Sequence, residues 1–317
     1  MKFAWCVCGL VVAVVAAGCA PVPSPAPRPG GAPALRVQVA QQGHAIRSVA
    51  LEDYVRASII SEYAPAAGDP RIVGRMLEVQ AVIARTYALA NRGRHAAQGF
   101  DLCSTTHCQL YEPSRLKTSR WAPAAAEAVR RTAGAVLWHD GAPVTAMFHA
   151  DCGGHTSTSV SAWGGTPRAY LKAARDDGHR DTPHARWTYT VPADAMAGAL
   201  NADPRTRVGS RVNAIKVTAR DASGRAATVT IQGRVERILK GEELRAVLAK
   251  RFGPRAVRST LFEIRRDGNA FVFDGRGFGH GVGLCQAGAL ARIQAGATPA
   301  DVLRRYYPGT TLRAAAY

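Results

Sequence analysis

The 317-residue sequence is poor in acidic residues, with 23 Asp and Glu against 41 Lys and Arg. The resulting formal net charge of +18 favours polyanionic partners, which include nucleic acids, anionic lipids and acidic cell-wall polymers. No internal repeat is apparent. The length suits one large domain or two small ones, and the hydrophobic content of 47% is ordinary for a globular protein.

The N-terminal apolar run, from Phe3 to Ala17, is too short to cross a bilayer as a permanent helix. With Lys2 before it and small residues after it, the run is typical of a secretory signal peptide. It ends in AAGC, which resembles a bacterial lipobox with Ala at the first position. We therefore expect a signal peptide over residues 1–18 and acylation of Cys19. The alternative is an ordinary secretory signal with an incidental cysteine.

Residues 19–34 are rich in proline, which predicts an extended tether and a folded domain that begins near Leu35. Acyl chains on Cys19 would attach the chain firmly to a membrane. The sequence thus predicts an exported lipoprotein, at the periplasmic face of an outer membrane, whose membrane contact is its lipid anchor. This location argues against nucleic acid as a partner.

Hydrophobic periodicity predicts an α+β fold over residues 35–317, with a mixed helical core, antiparallel strands and an inserted β-rich subdomain at 187–273. A turn at Asp140-Gly141 indicates a hairpin before the inserted part. Near the C-terminus, Thr298 and Asp301 have the spacing of a capping box, with Pro299 at the first helical position.

The segment SVALEDYVRASIISEYAP is predicted to be a helix in which Leu51, Val55 and Ile59 share one face, and the next position on that face is Glu62. Partial desolvation and the negative end of the helix dipole both raise the pKa of a carboxyl group placed there. An acid that stays protonated near neutral pH is suited to general-acid catalysis. The alternative is a side chain that extends into solvent at the helix end, and the pattern alone favours this alternative.

The stretch GRGFGHGVGLCQAGA, from Gly275 to Ala289, has glycine at five alternate positions. The spacing does not match GxGxxG, and no GKS or GKT follows, which excludes the common nucleotide-binding loops. In an extended chain, one face would be bare backbone that another segment or a flat ligand can approach closely, and His280 would project from the other. The alternative is a strand whose glycines serve packing alone, with His280 as a core histidine.

Several segments together resemble the SpoIID family of bacterial cell-wall proteins (stage II sporulation protein D, or amidase enhancer). In family order they are LEDYVRASIISEYAP, QAVIARTYAL, FDLCSTTHCQLY, FHADCGGHTS, YLKAARDD and GRGFGHGVGLCQAGA with LRRYYPGT. The resemblance implies a peptidoglycan lytic transglycosylase that cleaves denuded glycan strands, with Glu62 as general acid and base. It therefore favours the catalytic interpretation of Glu62. The alternative is a non-catalytic peptidoglycan-binding enhancer of a partner cell-wall amidase.

The resemblance also implies which residues line the glycan cleft. These residues are Gly153, Gly154, His155, Tyr170, Lys172, His280 and Gln286. Tyr170 and Lys172 are candidates for holding a sugar or the lactyl carboxylate of muramic acid. The chain departs from the family pattern at Phe278, where a Trp is usual, which weakens a stacking contact. It also has Cys285 where Ser is usual, and Cys152 likewise stands where many relatives have Ser. From these two departures we predict a Cys152–Cys285 disulfide that bridges two walls of the cleft.

Four cysteines remain after the signal peptide and Cys19 are set aside, and in an oxidising compartment an even number allows two disulfides in any of three pairings. The segment CSTTHC resembles one that supplies zinc ligands in some family members. It implies a structural zinc bound by Cys103, His107 and Cys108, with His95 as fourth ligand. The alternative is a Cys103–Cys108 disulfide. The implied chemistry itself requires no cofactor.

Overall fold

The computed structural model describes residues 33–65, 67–176, 178 and 181–315. The predicted signal peptide and the lipidation site Cys19 lie outside the described residues, as does the tether except for its last two positions. Within the described ranges, none of the helices is both long and apolar enough to cross a membrane.

The α+β prediction is confirmed, because helices and largely antiparallel sheets alternate along the chain. The helices are α1 (Leu51–Glu62), α2 (Pro70–Ala90), α3 (Arg115–Thr118), α4 (Ala122–Arg131), α5 (Ser159–Trp163), α6 (Ala193–Asn201), α7 (Gly241–Phe252), α8 (Gln286–Gln294) and α9 (Pro299–Tyr306). The strands are β1 (Ala34–Val39), β2 (Ala45–Ala50), β3 (Leu102–Cys103), β4 (Ala135–His139), β5 (Ala142–Pro143), β6 (Phe148–His149), β7 (Trp187–Pro192), β8 (Val212–Arg220), β9 (Ala226–Gly233), β10 (Arg237–Lys240), β11 (Phe262–Asp267), β12 (Ala270–Gly275), β13 (Leu284–Cys285) and β14 (Thr311–Ala314).

The strands form small sheets with the orders β2-β1-β3, β14-β4-β5, β13-β6, β10-β9-β8 and β11-β12-β7. The pairs β1–β3 and β6–β13 are parallel, and the other pairs are antiparallel. In the β6–β13 pair, Leu284 lies opposite Phe148 and Cys285 opposite His149. This short ladder joins two segments that are more than 130 residues apart in sequence and that both belong to the candidate site.

Helix α2 is the centre of the first half of the chain, because it is buried on two faces. Leu77 and Ala84 pack in a cluster with α1 and α4, whereas Met76 and Ile83 pack in a second cluster with α8 and α9. The Asp69 side chain begins α2 by accepting the N–H groups of the first helical turn. A helix enclosed in this way can hold its neighbours in fixed positions.

An ion pair fixes the start of α1 against α2. Arg85 is fully buried, and its Nε and Nη2 atoms donate to the two carboxylate oxygens of Glu52 at 2.8 and 2.7 Å. A guanidinium that binds a carboxylate through two parallel hydrogen bonds also sets the relative orientation of the two groups. The pair therefore helps to orient the helix that ends at Glu62.

A third hydrophobic cluster consists of residues between Trp187 and Phe273. It contains the sheets β10-β9-β8 and β11-β12-β7 and the two helices α6 and α7. The buried Arg225 connects this part to the glycine-rich stretch, since its Nη1 donates to the carbonyl oxygen of Gly279 at 3.4 Å. Its Nη2 donates to the carbonyl oxygen of Cys152 at 2.7 Å.

Within the glycine-rich stretch, residues 275–283 do not form the extended strand that their alternation suggests. Gly277, Gly279, Gly281 and Gly283 have φ values of 79, 104, 79 and 72°, in the left-handed region that favours glycine. A Cβ atom on Gly279 would lie 2.7 Å from the Cβ of His149. Because these glycines have no side chains, the segment 147–153 can pack directly against their backbone. This agrees with the alternative that the glycines serve packing.

Candidate functional site

Glu62 is the last residue of α1, and its side chain is half-buried rather than extended into bulk solvent. The amide of Leu110 donates to its Oε1 at 2.7 Å, from the loop that follows Cys108. The neighbouring Ser61 hydroxyl accepts the amide of Glu112 at 3.0 Å. The end of α1 and this loop are thus joined by two hydrogen bonds that fix the position of the Glu62 carboxyl group.

The pKa of Glu62 is raised from its ordinary value of 4.5 to about 7. Burial is the main cause, because it penalises the charged carboxylate, and the negative charge of Glu112 adds to the rise. The hydrogen bond from Leu110 acts in the opposite direction by stabilising the carboxylate. The group is thus poised to hold and to release a proton near neutral pH.

The glycine-rich stretch reaches Glu62 through Gln286. Gln286 is the first residue of α8, and its Nε2 donates to the carbonyl oxygen of Glu62 at 3.4 Å. His280 precedes it on the same stretch, and its Nδ1 accepts the amide of Val282 at 3.0 Å. Burial lowers the pKa of His280 well below its ordinary value, so the ring is neutral near pH 7.

The CGGH loop lies against the first half of the glycine-rich stretch. Asp151 and Phe278 exchange two backbone hydrogen bonds of 3.0 and 2.8 Å. Gly153 and Gly154 follow with φ values of 69 and 102°, and a Cβ on Gly154 would meet no atom within 4 Å. His155 is half-buried, with its Nδ1 2.7 Å from the carbonyl oxygen of Thr156. The loop therefore leaves open space above Gly154.

The two remaining predicted cleft residues have different environments. Tyr170 is buried, and its hydroxyl accepts the amide of Thr145 at 3.1 Å and Nη1 of Arg168 at 2.9 Å. Lys172 is exposed, and its carbonyl oxygen accepts the hydroxyl of Thr156 at 3.2 Å. The hydroxyl of Tyr170 thus holds Arg168 in place, whereas the Lys172 side chain has no hydrogen bond or ion pair with another described residue.

A cavity of about 530 Å³ lies between the end of α2 and residues 159–171. Its wall includes Met147, whose carbonyl oxygen accepts the amide of Leu284 at 3.0 Å, two residues before Gln286. Trp163 and Arg168 also line it. Glu62 and Gln286 are not among the residues that line this cavity.

Sequence reasoning missed the residues of this cavity. Trp163 is an aromatic side chain that is 42% exposed, and it comes directly before two glycines with positive φ values, Gly164 and Gly165. An exposed tryptophan at the end of a short helix, followed by a Gly-Gly pair, is the signal that could have indicated a binding surface. Arg94 and Arg168 carry no comparable pattern in the sequence.

The predicted zinc ligands lie together. One donor atom from each of His95, Cys103, His107 and Cys108 lies within 4.8 Å of the other three. The Nε2 atom of His95 is 3.3 Å from Sγ of Cys108, while its Nδ1 is 2.5 Å from Oε1 of Gln98. A metal-binding histidine usually donates its second N–H to such an acceptor. Two thiols and two imidazoles in this arrangement fit a tetrahedral zinc ion.

Cys152 and Cys285 are also neighbours, because the amide of Cys152 donates to Sγ of Cys285 at 3.2 Å. Both residues are fully buried, and their Sγ atoms lie within 4.8 Å of each other. The CGGH loop and the glycine-rich stretch are therefore in contact at this point. The Cys152–Cys285 disulfide stays a prediction.

Comparisons with known proteins agree with the resemblance found in the sequence. The SpoIID family, described as Stage II sporulation protein, matches residues 40–139, and a domain of unknown function, DUF8618, matches residues 164–283. Stage II sporulation protein D of Bacillus amyloliquefaciens is 27% identical over 85% of this chain and 76% of its own length. The Bacillus subtilis protein of the same name is 28% identical over 84% of this chain and 75% of its own length.

A third relative carries a different name. The amidase enhancer of Bacillus subtilis is 26% identical over 74% of this chain, although the match spans only 37% of that longer protein. The resemblance is therefore confirmed: residues 40–139 match the SpoIID family, and the chain is similar to stage II sporulation protein D along most of its length.

Proposed function

We propose that this protein is a lytic transglycosylase that cleaves the glycan strands of peptidoglycan, with Glu62 as its general acid and base. The observation that carries the proposal is the half-buried carboxyl group of Glu62, whose pKa of about 7 leaves it substantially protonated at neutral pH. Its position beside Gln286 and the glycine-rich stretch supports a role at a cleft. Similarity to stage II sporulation protein D and to an amidase enhancer supports a role at the cell wall.

The proposed reaction uses the 6-hydroxyl group of the muramic acid sugar as nucleophile. Protonated Glu62 gives its proton to the glycosidic oxygen as the bond from the anomeric carbon to that oxygen breaks. The Glu62 carboxylate then takes the proton of the 6-hydroxyl as its oxygen bonds to the anomeric carbon. The products are a shortened glycan with a free hydroxyl group and a 1,6-anhydro sugar end, and Glu62 is again protonated.

A single carboxyl group is sufficient for this chemistry. Most glycosidases need two, because one protonates the leaving oxygen and the other attacks carbon or activates water. The nearby Glu112 is engaged by Arg115, whose Nε lies 2.6 Å from its Oε2. We therefore assign Glu112 an electrostatic effect on Glu62 rather than a second catalytic role.

The test is the release of anhydro-muramic ends from peptide-free glycan strands by the purified mature protein, followed by mass spectrometry. We expect release by the wild type, loss of release in Glu62→Gln, and unchanged release in Glu236→Gln, which alters an exposed carboxyl group elsewhere. Binding of the strands to Glu62→Gln should persist. A wild-type protein that binds the strands and releases no anhydro ends would contradict the proposal.

The second candidate function is a non-catalytic peptidoglycan-binding enhancer of a cell-wall amidase. The observation that favours it is the similarity to the amidase enhancer of Bacillus subtilis. In this case wild type and Glu62→Gln would bind glycan equally, neither would cleave it, and both would accelerate a purified amidase to the same extent. The glycan-release assay therefore separates the two functions.

We also propose that a structural zinc ion is bound by His95, Cys103, His107 and Cys108. The donor set and the second hydrogen bond of His95 support it. The ligands precede Leu110, so a metal here would stabilise the loop whose amide holds Glu62. When bound, zinc would supply rigidity to this loop, and the proposed proton transfers need only Glu62.

We propose further that the chain is an exported lipoprotein anchored through Cys19. The N-terminal sequence supports this, with its apolar run and the AAGC segment. Such an anchor would hold a basic domain close to the glycan mesh. Incorporation of radioactive palmitate that is lost in Cys19→Ala would support the anchor, and incorporation that persists in the variant would contradict it.

A further inference from the structure

We infer that His149, Cys152 and Cys285 form a second metal site, separate from the predicted zinc cluster, and that this site binds copper(I). One ring nitrogen of His149 and the two sulfur atoms lie within 4.8 Å of one another. Nitrogen and sulfur atoms bound to one metal ion at about 2.0 and 2.3 Å are this close together. The inference does not depend on the proposed glycan cleavage.

Backbone contacts bring the three side chains together. Cys285 lies opposite His149 in the parallel β6–β13 pair, and the amide of Cys152 donates to Sγ of Cys285 at 3.2 Å. His149 is 5% exposed, and the two cysteines are fully buried. The donor atoms are therefore held by the fold itself, in an interior that excludes water.

His149 has the hydrogen bonding of a metal ligand. Its Nδ1 is 3.2 Å from the carbonyl oxygen of Val282. Because a carbonyl oxygen only accepts, Nδ1 carries the proton and Nε2 carries a lone pair. Nε2 is buried and has no hydrogen-bond partner among the described residues, which is unusual for a buried polar atom. Metal-binding histidines usually donate their other N–H in this way, and a metal ion would supply the missing partner of Nε2.

The sulfur of Cys285 lies where a thiolate is stabilised. It accepts the amides of Cys152 and Gly288 at 3.2 and 3.4 Å, and Cys285 is the N-cap of α8, at the positive end of the helix dipole. Burial nevertheless raises the pKa of this thiol, and the neighbouring Cys152 adds to the rise. A bound cation would therefore be needed to displace the thiol proton.

The number of donors distinguishes copper(I) from zinc. The nearest further candidate is Asp176, whose Oδ2 is 3.8 Å from Sγ of Cys152. Its carboxylate already accepts the hydroxyl of Tyr306 at 2.6 Å and Nη2 of Arg292 at 2.7 Å. Three donors thus remain in a dry site. Structural zinc has four ligands, whereas copper(I) is selected by soft thiolates and is stable with three donors.

The charge balance also favours a monovalent ion. Arg225 is buried, and its guanidinium donates to the carbonyl oxygens of Cys152 and Gly279 but forms no ion pair within the described part of the chain. The acid that acts on it most, Glu242, is itself paired with Arg245 at 2.8 Å. Two thiolates with copper(I) carry one net negative charge, which would offset the buried cation, whereas the same ligands with zinc carry none.

A metal ion here would join the CGGH loop to the start of α8. Gln286, the first residue of α8, contacts Glu62. The ion would therefore stabilise the side of the candidate site that lies opposite the Leu110 loop. The predicted Cys152–Cys285 disulfide uses the same two sulfur atoms, so the two states exclude each other. The disulfide would leave Nε2 of His149 without a partner.

The experiment measures the metal content of the full mature chain, produced in copper-supplemented medium and purified without oxygen. We expect about one copper ion per chain, bound as copper(I) with release of the two thiol protons. X-ray absorption at the copper edge should show two sulfur neighbours and one nitrogen neighbour. This measurement uses the wild type, so it stands even where a variant fails to fold. Copper-free protein with a Cys152–Cys285 disulfide would overturn the inference.

Variants separate the site from its alternatives. His149→Gln should reduce bound copper about tenfold or more, although a disulfide would not require this histidine. Cys108→Ser, in the other cluster, should keep the copper, and so should His44→Ala, an exposed histidine control. Circular dichroism checks that each variant is folded. Copper retained in folded His149→Gln would overturn the inference. A second zinc ion in the wild type that is lost in His149→Gln would overturn the assignment to copper(I).

Discussion

The backbone amide of Leu110 donates a 2.7 Å hydrogen bond to Oε1 of Glu62, and it opposes the burial that raises the pKa of the same carboxyl group. Burial prevails, since the pKa remains at about 7. The contact nevertheless orients the carboxyl group, because an amide donor binds either the carboxylate or the carbonyl oxygen of the acid. A group that donates a proton and later accepts one must be correctly oriented both as the acid and as the carboxylate, and this hydrogen bond is available to both forms.

Replacing Glu62 by Gln should change the pH dependence of stability. A carboxyl group whose pKa is higher in the folded than in the unfolded protein stabilises the fold below the unfolded pKa, and this contribution is lost as the pH rises through about 7. Relative to wild type, Glu62→Gln should therefore gain stability between pH 4.5 and pH 8, by up to roughly 3 kcal/mol. Urea unfolding of both proteins at the two pH values measures this gain.

The control for this prediction is Glu236→Gln, whose exposed side chain should show the same difference from wild type at both pH values. If the free energy of unfolding of Glu62→Gln differs from that of wild type by the same amount at both pH values, the carboxyl group is not desolvated in solution.

The negative charge of Glu112 should set part of the pH profile of glycan cleavage. Protonated Glu62 is the proposed acid, so cleavage should decrease as the pH rises above about 7. Glu112→Gln removes a charge that raises the pKa of Glu62, which should move this decrease to lower pH by a few tenths of a unit. Rates of anhydro-end release between pH 5 and 9 provide the measurement, and a decrease that moves to higher pH would contradict the assigned sign.

Local chemistry made several elements predictable from the sequence. The Asp140-Gly141 turn lies between β4 and β5, with both residues at positive φ as such hairpins require. The Thr298–Asp301 capping box is present at the start of α9. Each of these features depends on residues within four positions of one another, so the local sequence is sufficient to predict it.

The candidate site was only partly predictable because its pieces meet through tertiary contacts. Helical periodicity placed Glu62 on the buried face of α1, but its raised pKa depends also on Glu112, which lies 50 residues away in sequence. The alternation of the glycine-rich stretch suggested an extended chain. The stretch instead bends through left-handed glycines around residues 147–153, and no local pattern specifies that partner. For the same reason, the Trp163 cavity was not predicted.

A matched pair of glycine variants should separate backbone strain from steric conflict. Gly279 and Gly154 have nearly equal φ values of 104 and 102°, so alanine is strained at both. A Cβ on Gly279 would also lie 2.7 Å from the Cβ of His149, whereas one on Gly154 meets open space. We expect Gly154→Ala to cost about 1–2 kcal/mol and Gly279→Ala about 2 kcal/mol more.

Thermal and urea unfolding measure both costs. Equal destabilisation by the two substitutions would mean that the segment 147–153 can move away from the glycine-rich stretch at little cost.

Metal content tests the cluster of His95, Cys103, His107 and Cys108. The purified protein should contain about one zinc ion per chain, as a closed Cys₂His₂ site binds it. Cys108→Ser should lose most of the zinc and lower the Tm by about 5–10 °C, because the loop that ends at Leu110 loses its cross-link. His44→Ala alters an exposed histidine outside the cluster and should keep the metal. Zinc-free wild-type protein in which Cys103 and Cys108 form a disulfide, seen by mass spectrometry of the tryptic peptide, would assign the covalent alternative instead.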